Sequence, residues 1–323
     1  MKECPKCKAC YDTTAMRCSF DTCDLIETVP CSCTIATKYR IHSRLGEGRL
    51  GAVYRATQLS TQNTVTIKLM LPYNISNKSQ AANFRRLASA ASQLHHNNII
   101  PVIDFGTIET SEIILNYLVM EAVDGWPLSM LIRDQKRLTV PRVVAVIDNI
   151  CAALEYAHEK GVTHGGLKPP NIWLSSEGIS EETYKLLDFG FAFTSNEPFS
   201  REITGFMDPD AETRALQYLS PEQCADKPPD ARSDVYSLGV VAYEMLSGAP
   251  PFTGTAEQLK RKQQRSRPRS LWLWHRIPRK ISRVIHKALA KNPRRRYQSV
   301  KEFNEALRRA MVVKRLAVLP SKT

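Results

Sequence analysis

Several things this chain lacks narrow what it can be. It has no run of about 18 apolar residues, so no membrane-spanning helix is expected. Its first residues, Met1-Lys2-Glu3-Cys4, show no apolar signal-peptide core, and the expected compartment is the cytoplasm. Cysteine all but disappears after residue 33: of nine, only Cys151 and Cys224 follow, and both read as small buried apolar side chains. Acidic residues are missing from two long stretches, residues 48–103 and 259–301. The first gap excludes carboxylate chemistry from that segment. The second contains sixteen Lys or Arg and no counter-charge, although the rest of the chain is slightly acidic and the net charge is +13. A surface of that kind attracts nucleic acid, acidic proteins or anionic lipid.

What remains is globular in composition, at 43% hydrophobic and 24% charged residues. Its 323 residues suffice for one two-lobed domain and a small extra module. The module is the cysteine-rich head, residues 1–34, which holds Cys4, Cys7, Cys10, Cys18, Cys23, Cys31 and Cys33. Without a secretion signal, such clustering points to metal rather than disulfides. Cys4-Pro5-Lys6-Cys7 presents two thiolates from a single turn to one tetrahedral Zn2+, and Cys18 with Cys23 supplies the closing pair. Cys10 extends the first run and leaves the ligand set open. Cys31-Ser32-Cys33 is spaced too tightly for an ordinary ligand pair and reads as a spare or a redox pair. So short a segment has almost no core, and metal would be its main source of stability. It resembles the zinc ribbons that precede the kinase domain in some bacterial Ser/Thr kinases.

The body carries a series of motifs in one order. Leu45-Gly46-Glu47-Gly48-Arg49-Leu50-Gly51-Ala52-Val53-Tyr54 matches G-x-G-x-x-G-x-V between two strands, where glycines admit phosphates to backbone N–H groups. Val65-Thr66-Ile67-Lys68 follows, then a helical stretch over residues 81–94, then Leu118-Val119-Met120-Glu121-Ala122-Val123. Further on stand His164-Gly165-Gly166-Leu167-Lys168-Pro169-Pro170-Asn171, Asp188-Phe189-Gly190, Leu219-Ser220-Pro221-Glu222 and Ser233-Asp234-Val235-Tyr236. Taken together they resemble the Hanks-type Ser/Thr protein kinase family across residues 37–310.

The resemblance implies an α+β, two-lobed fold: a β-rich lobe over residues 37–121, a helical lobe over 125–310, and a tail of 311–323. It implies ATP held by Leu45, Gly46, Gly48, Gly51, Val53, Lys68, Met120 and the backbone of Glu121 and Val123. It implies Mg2+ on Asn171 and Asp188. Asp234 should anchor the catalytic-loop backbone, and Arg296 should pair with Glu222. Trp173, where a Leu usually floors the adenine pocket, either stacks on a base or fills the pocket.

Three positions of the catalytic machinery depart from the family pattern. Gly166 stands where the catalytic Asp accepts the proton of the attacking hydroxyl, and Gly165 where an Arg receives an activation-segment phosphate. That loss puts activation through Thr194, Ser195, Ser200, Thr204 or Thr213 in doubt. Leu87 stands where a helix Glu pairs with the strand lysine, which leaves Asp188 or bound phosphates as the counter-charge of Lys68. The expectation is a pseudokinase, a regulatory or scaffold module in signalling whose degenerate loop retains His164 and Lys168. The alternative is an active Ser/Thr kinase using an unusual base, His164 or a displaced acid. Another reading concerns the basic stretch with Trp272 and Trp274: it is either a nucleic-acid or anionic-surface site, or a solvated segment with both rings packed on the lobe.

Overall fold

The computed structural model describes residues 1–29, 31–48, 51–70, 73–74, 78–109, 113–175, 182–189 and 211–312. Arg49, Leu50, Gly190, Thr194, Ser195, Ser200 and Thr204 lie outside the described residues, as does the tail beyond residue 312. The chain divides into two compact units. One contains Met1–His95 and Ile100–Val123; the other contains His96–Ile99, Asp124–Phe193 and Glu212–Thr323.

The first unit begins with three two-residue strands, β1 (Lys2–Glu3), β2 (Cys10–Tyr11) and β3 (Ile26–Glu27), in the order β2-β1-β3. A seven-stranded antiparallel sheet follows: β4 (Thr34–Ile35), β5 (Tyr39–Gly48), β6 (Gly51–Gln58), β7 (Thr64–Met70), β8 (Tyr73–Asn74), β9 (Val102–Glu109) and β10 (Ile113–Glu121). Period-2 alternation fixes which side chains share a face. On β7, Val65, Ile67 and Leu69 are fully buried on one face, while Thr66 and Lys68 point to the other. The first face forms a core with Tyr54, Ala56, Tyr117 and Val119, and that core includes Met1, Cys33 and Ile35. The cysteine-rich head therefore packs on the sheet face opposite Lys68.

Lys68's own face receives the helix α1 (Lys78–Ser92), which begins three residues before the sequence suggests. Phe84 on α1 meets Phe105 edge to face at 6.5 Å, and Phe105 shares a rung with Leu118, itself paired with Lys68. No residue of α1 is acidic.

The second unit has a small sheet of β11 (Trp126–Pro127), β12 (Ile172–Ser175) and β13 (Thr183–Leu186). Its helices are α2 (Leu128–Gln135), α3 (Val140–Glu159), α4 (Ala211–Leu216), α5 (Ala231–Ser247), α6 (Ala256–Arg265), α7 (Leu271–His275), α8 (Arg279–Ala288) and α9 (Val300–Val312). α5 is buried along almost its whole length, its apolar residues Val235, Leu238, Val240, Val241 and Leu246 packed together with the polar Ser233, Asp234 and Ser237. A capping box fixes its start, Asp230 accepting from the Arg232 N–H and Ser233 Oγ accepting from the Asp230 N–H. Among the described residues, no helix is long and apolar enough to cross a membrane.

Candidate active site

In the first unit, cross-strand register collects the expected nucleotide residues on one sheet face. Val53, Lys68 and Leu118 form one rung, and Arg55, Thr66 and Met120 the next. Lys68 is 7% exposed. Below the turn, Gly46 pairs with Val53 and Gly48 with Gly51. Gly51 has φ +142°, and a Cβ there would lie 1.9 Å from the Leu69 carbonyl oxygen, so only glycine fits. Among the described residues nothing lies within 4 Å of a Cβ at Gly46, and Leu45 is half exposed. The Glu121 N–H donates to the Pro101 carbonyl at 3.1 Å, and Val123 follows half-buried at the end of the unit.

In the second unit the 164–171 loop is held from beneath by α5. The buried Asp234 carboxylate accepts from the His164 N–H at 2.9 Å, the Gly165 N–H at 2.8 Å and His158 Nε2 at 2.7 Å. Gly165 has φ +67°, and its carbonyl accepts from Gln223 Nε2 at 2.5 Å. The sequence reading missed that second tie.

His164 is fully buried and committed on both ring nitrogens. Nε2 donates to the Leu187 carbonyl at 3.0 Å, Nδ1 accepts from the Gly166 N–H at 3.2 Å, and the ring packs on Phe189 at 4.9 Å. Burial holds its pKa below the ordinary histidine value, so the ring is neutral. Asn171 Nδ2 donates to the Gly166 carbonyl at 3.1 Å, which leaves Oδ1 as the amide's oxygen ligand. The Asn171 carbonyl accepts from the Leu187 N–H at 3.1 Å, tying the loop to the residue before Asp188. Asp188 itself takes a left-handed backbone, φ +69°. Lys168 is half-buried in extended conformation. Trp173, also half-buried, lies on β12 between Pro127 and Lys185.

The expected ion pair is present: Arg296 Nη1 and Nη2 donate to the two Glu222 carboxylate oxygens, each at 2.7 Å. Burial alone would raise the Glu222 carboxyl; the bidentate guanidinium overrides it and holds it below the usual range. Thr213 lies on α4, half-buried.

In the head, Cys4 and Cys23 sulfurs are 3.4 Å apart and those of Cys7 and Cys18 are 3.6 Å apart. Among the described residues, the ligand atoms of Cys4, Cys7, Cys18 and Asp21 all lie within 4.8 Å of one another. The sequence reading missed Asp21, although its place three residues after Cys18 was a signal. Hydrogen bonding to Asp21 pushes Cys7 up to about 12. Against its desolvation, the Tyr11 hydroxyl and the Asp21 and Phe20 N–H groups bring Cys18 down to about 7. Cys10, Cys31 and Cys33 stand apart from this group, packed on the sheet core, and burial pushes Cys31 up to about 11 and Cys10 and Cys33 to about 12. None of the nine cysteines forms a disulfide. One residue from Cys4, the buried Glu3 carboxylate meets Arg44 of β5, with Oε1 2.9 Å from Nη2 and Oε2 2.8 Å from Nε. Arg44 also holds Glu47, between the two glycines of the loop strand.

The protein kinase domain family matches residues 39–309. The chain is 35% identical over 286 residues to the serine/threonine-protein kinase pkn3 of Myxococcus xanthus, covering 85% of this chain and 50% of that protein. It is 36% identical over 279 residues to the serine/threonine-protein kinase PknB of Mycobacterium tuberculosis, covering 84% and 43%. It thus spans half or less of the length of these curated relatives. Among solved structures, the Mycobacterium tuberculosis PknI kinase domain superposes with a TM-score of 0.67 at 24% identity, over 87% of this chain and 99% of that one.

Proposed function

Because the chain belongs to the protein kinase domain family and is similar to bacterial serine/threonine kinases, we propose that it is a pseudokinase. In this reading it holds ATP with Mg2+ and acts through docking or conformation, not through efficient phosphotransfer. The observation that carries the reading is Gly166, which can neither accept a proton nor orient a hydroxyl. The loop's own histidine is no substitute, because His164 is buried with both ring nitrogens engaged. Loss of a general base costs on the order of 10²–10⁴-fold. The helix α1 adds no carboxylate for Lys68.

What persists supports nucleotide binding: Lys68, Val53 and Met120 on one face, and Asn171 with its amide oxygen free of the loop's internal bonds. Mg2+ would bind Asn171 and Asp188 and neutralise phosphate charge. Wild type, Lys68→Ala and Gly166→Asp should be compared in phosphotransfer assays, alongside thermal-shift titrations with ATP with and without Mg2+. Magnesium-dependent stabilisation with negligible transfer is expected. Robust transfer by wild type that vanishes in Lys68→Ala would overturn the pseudokinase reading.

We further infer that the head binds Zn2+ through Cys4, Cys7, Cys18 and Cys23. Four sulfurs about 2.3 Å from a tetrahedral zinc lie roughly 3.8 Å apart, close to the separations of the two thiol pairs. Thiolates suit zinc better than a carboxylate does, which favours Cys23 over Asp21 as the fourth ligand. Elemental analysis of purified protein should find about one zinc per chain, reduced by Cys4→Ser. Full zinc retention in Cys4→Ser would reject this ligand set.

A further inference from the structure

The acid-free stretch contains a feature that neither nucleotide binding nor the cysteine head uses. In α7, Leu271 is fully buried and fixes the helix to the second unit, but the next three residues face solvent. Trp272 is 44% exposed, Leu273 66% and Trp274 64%. The sequence left open whether both tryptophans pack on the lobe; Trp274 lies mostly in solvent, and Trp272 is partly covered. The short helix is tied at both ends. Ser270 Oγ accepts from the Leu273 N–H at 3.4 Å, Ser282 Oγ accepts from the Trp272 N–H at 3.3 Å, and Arg276 closes the end with a left-handed backbone.

Five exposed cations flank this apolar tip in the sequence, Arg267, Arg269, Arg276, Arg279 and Lys280, and no acidic residue occurs between 259 and 301. Two of them stack on the indoles, Arg269 over Trp274 at 5.2 Å and Arg279 over Trp272 at 5.1 Å.

We propose that this tip is a docking site for an anionic lipid surface. Tryptophan prefers the boundary between headgroups and hydrocarbon, and a basic collar adds attraction to anionic headgroups. The geometry favours lipid over single-stranded nucleic acid for two reasons. The most exposed apolar residue of the tip is aliphatic, and Leu273 has no ring on which a base can stack. Each indole already has a guanidinium over one face, which takes part of the stacking surface. An exposed apolar tip with guanidinia stacked on its indoles and further cations beside it in the sequence matches an amphipathic element lying in the interfacial plane. The proposal does not depend on the pseudokinase reading.

The test is co-flotation of the full chain with vesicles of phosphatidylcholine alone or mixed with phosphatidylglycerol, read with tryptophan emission and acrylamide quenching. Binding should be at least about tenfold stronger to the anionic vesicles, weaken in high salt, and shift emission to the blue. Leu273→Asp should reduce binding about tenfold or more, and Arg276→Gln with Lys280→Gln should do the same through charge. Both variants change exposed side chains, so an unchanged melting temperature confirms that the fold is intact. Equal binding to neutral and anionic vesicles, or none to either, overturns the proposal. So does binding to a single-stranded oligonucleotide that exceeds vesicle binding and survives Leu273→Asp.

Discussion

Asp234 is the residue on which the loop's geometry depends, and its replacement has a calculable cost. Its carboxylate accepts two backbone N–H groups, from His164 and Gly165, and one imidazole N–H from His158, at 2.7–2.9 Å in a fully buried site. Each hydrogen bond to a charged group contributes about 1.5–3 kcal/mol, and a buried N–H left unsatisfied costs about 1–3 kcal/mol. Asp234→Ala removes both acceptor oxygens, hence all three hydrogen bonds, and strands two amides, a loss of roughly 4–8 kcal/mol allowing for non-additivity. That is comparable to the whole stability of many domains, about 5–15 kcal/mol. Asp234→Asn keeps one acceptor oxygen and should cost about 2–3 kcal/mol. Urea unfolding followed by circular dichroism measures both, and hydrogen exchange reports the two amides directly. If Asp234→Ala lies within about 1 kcal/mol of wild type, or the His164 and Gly165 amides keep their protection, the anchoring argument is wrong.

Other perturbations separate the remaining parts of the structure. Gly51→Ala should lower stability by about 2–4 kcal/mol, since φ is +142° and the Leu69 carbonyl occupies the Cβ position, whereas Gly46→Ala should be nearly neutral; thermal denaturation compares them. Cys33→Ser should destabilise by about 1–3 kcal/mol by placing a hydroxyl in the sheet core while leaving zinc content unchanged, the reverse of Cys4→Ser in metal analysis. Burial raises the Glu244 carboxyl to about 7 although the Tyr218 hydroxyl donates to it. The folded state therefore holds that proton after the unfolded state has released it, and this contribution to stability falls as pH rises from about 4.5 to 7. Glu244→Gln should flatten that part of a urea-denaturation pH profile.

The kinase fold was legible because its motifs are local and ordered, and because Asp234, Glu222 and Arg296 are chemically specific residues whose partners the family resemblance supplies. Gly166 and Leu87 were equally plain, since a missing carboxylate is visible without a structure. The side of the sheet on which the head packs was not. Period-2 alternation shows that Val65, Ile67 and Leu69 share a face, but not that Met1, Cys33 and Ile35 cover it. For the same reason Cys31 and Cys33 read as a spare or redox pair, when Cys33 is a core side chain. Asp21 escaped notice because a thiol-rich segment draws attention to sulfur. The exposure of Trp272 and Trp274 could not be read from a five-residue helix, too short to show a periodic apolar face.

The head also meets the boundary of the large sheet. β4 pairs along β5, and the Arg44 N–H donates to the Lys8 carbonyl at 2.9 Å. A fragment begun at the family boundary, residue 39, would lose these partners as well as the cover over Ile67 and Tyr54. It would present an unpaired strand edge beside an uncovered apolar face, the arrangement that seeds sheet-to-sheet association between chains. For this protein, cutting the kinase-like domain free of its cysteine head is thus a recipe for aggregation, and failure of such a fragment to stay monomeric would say nothing about the stability of the intact chain.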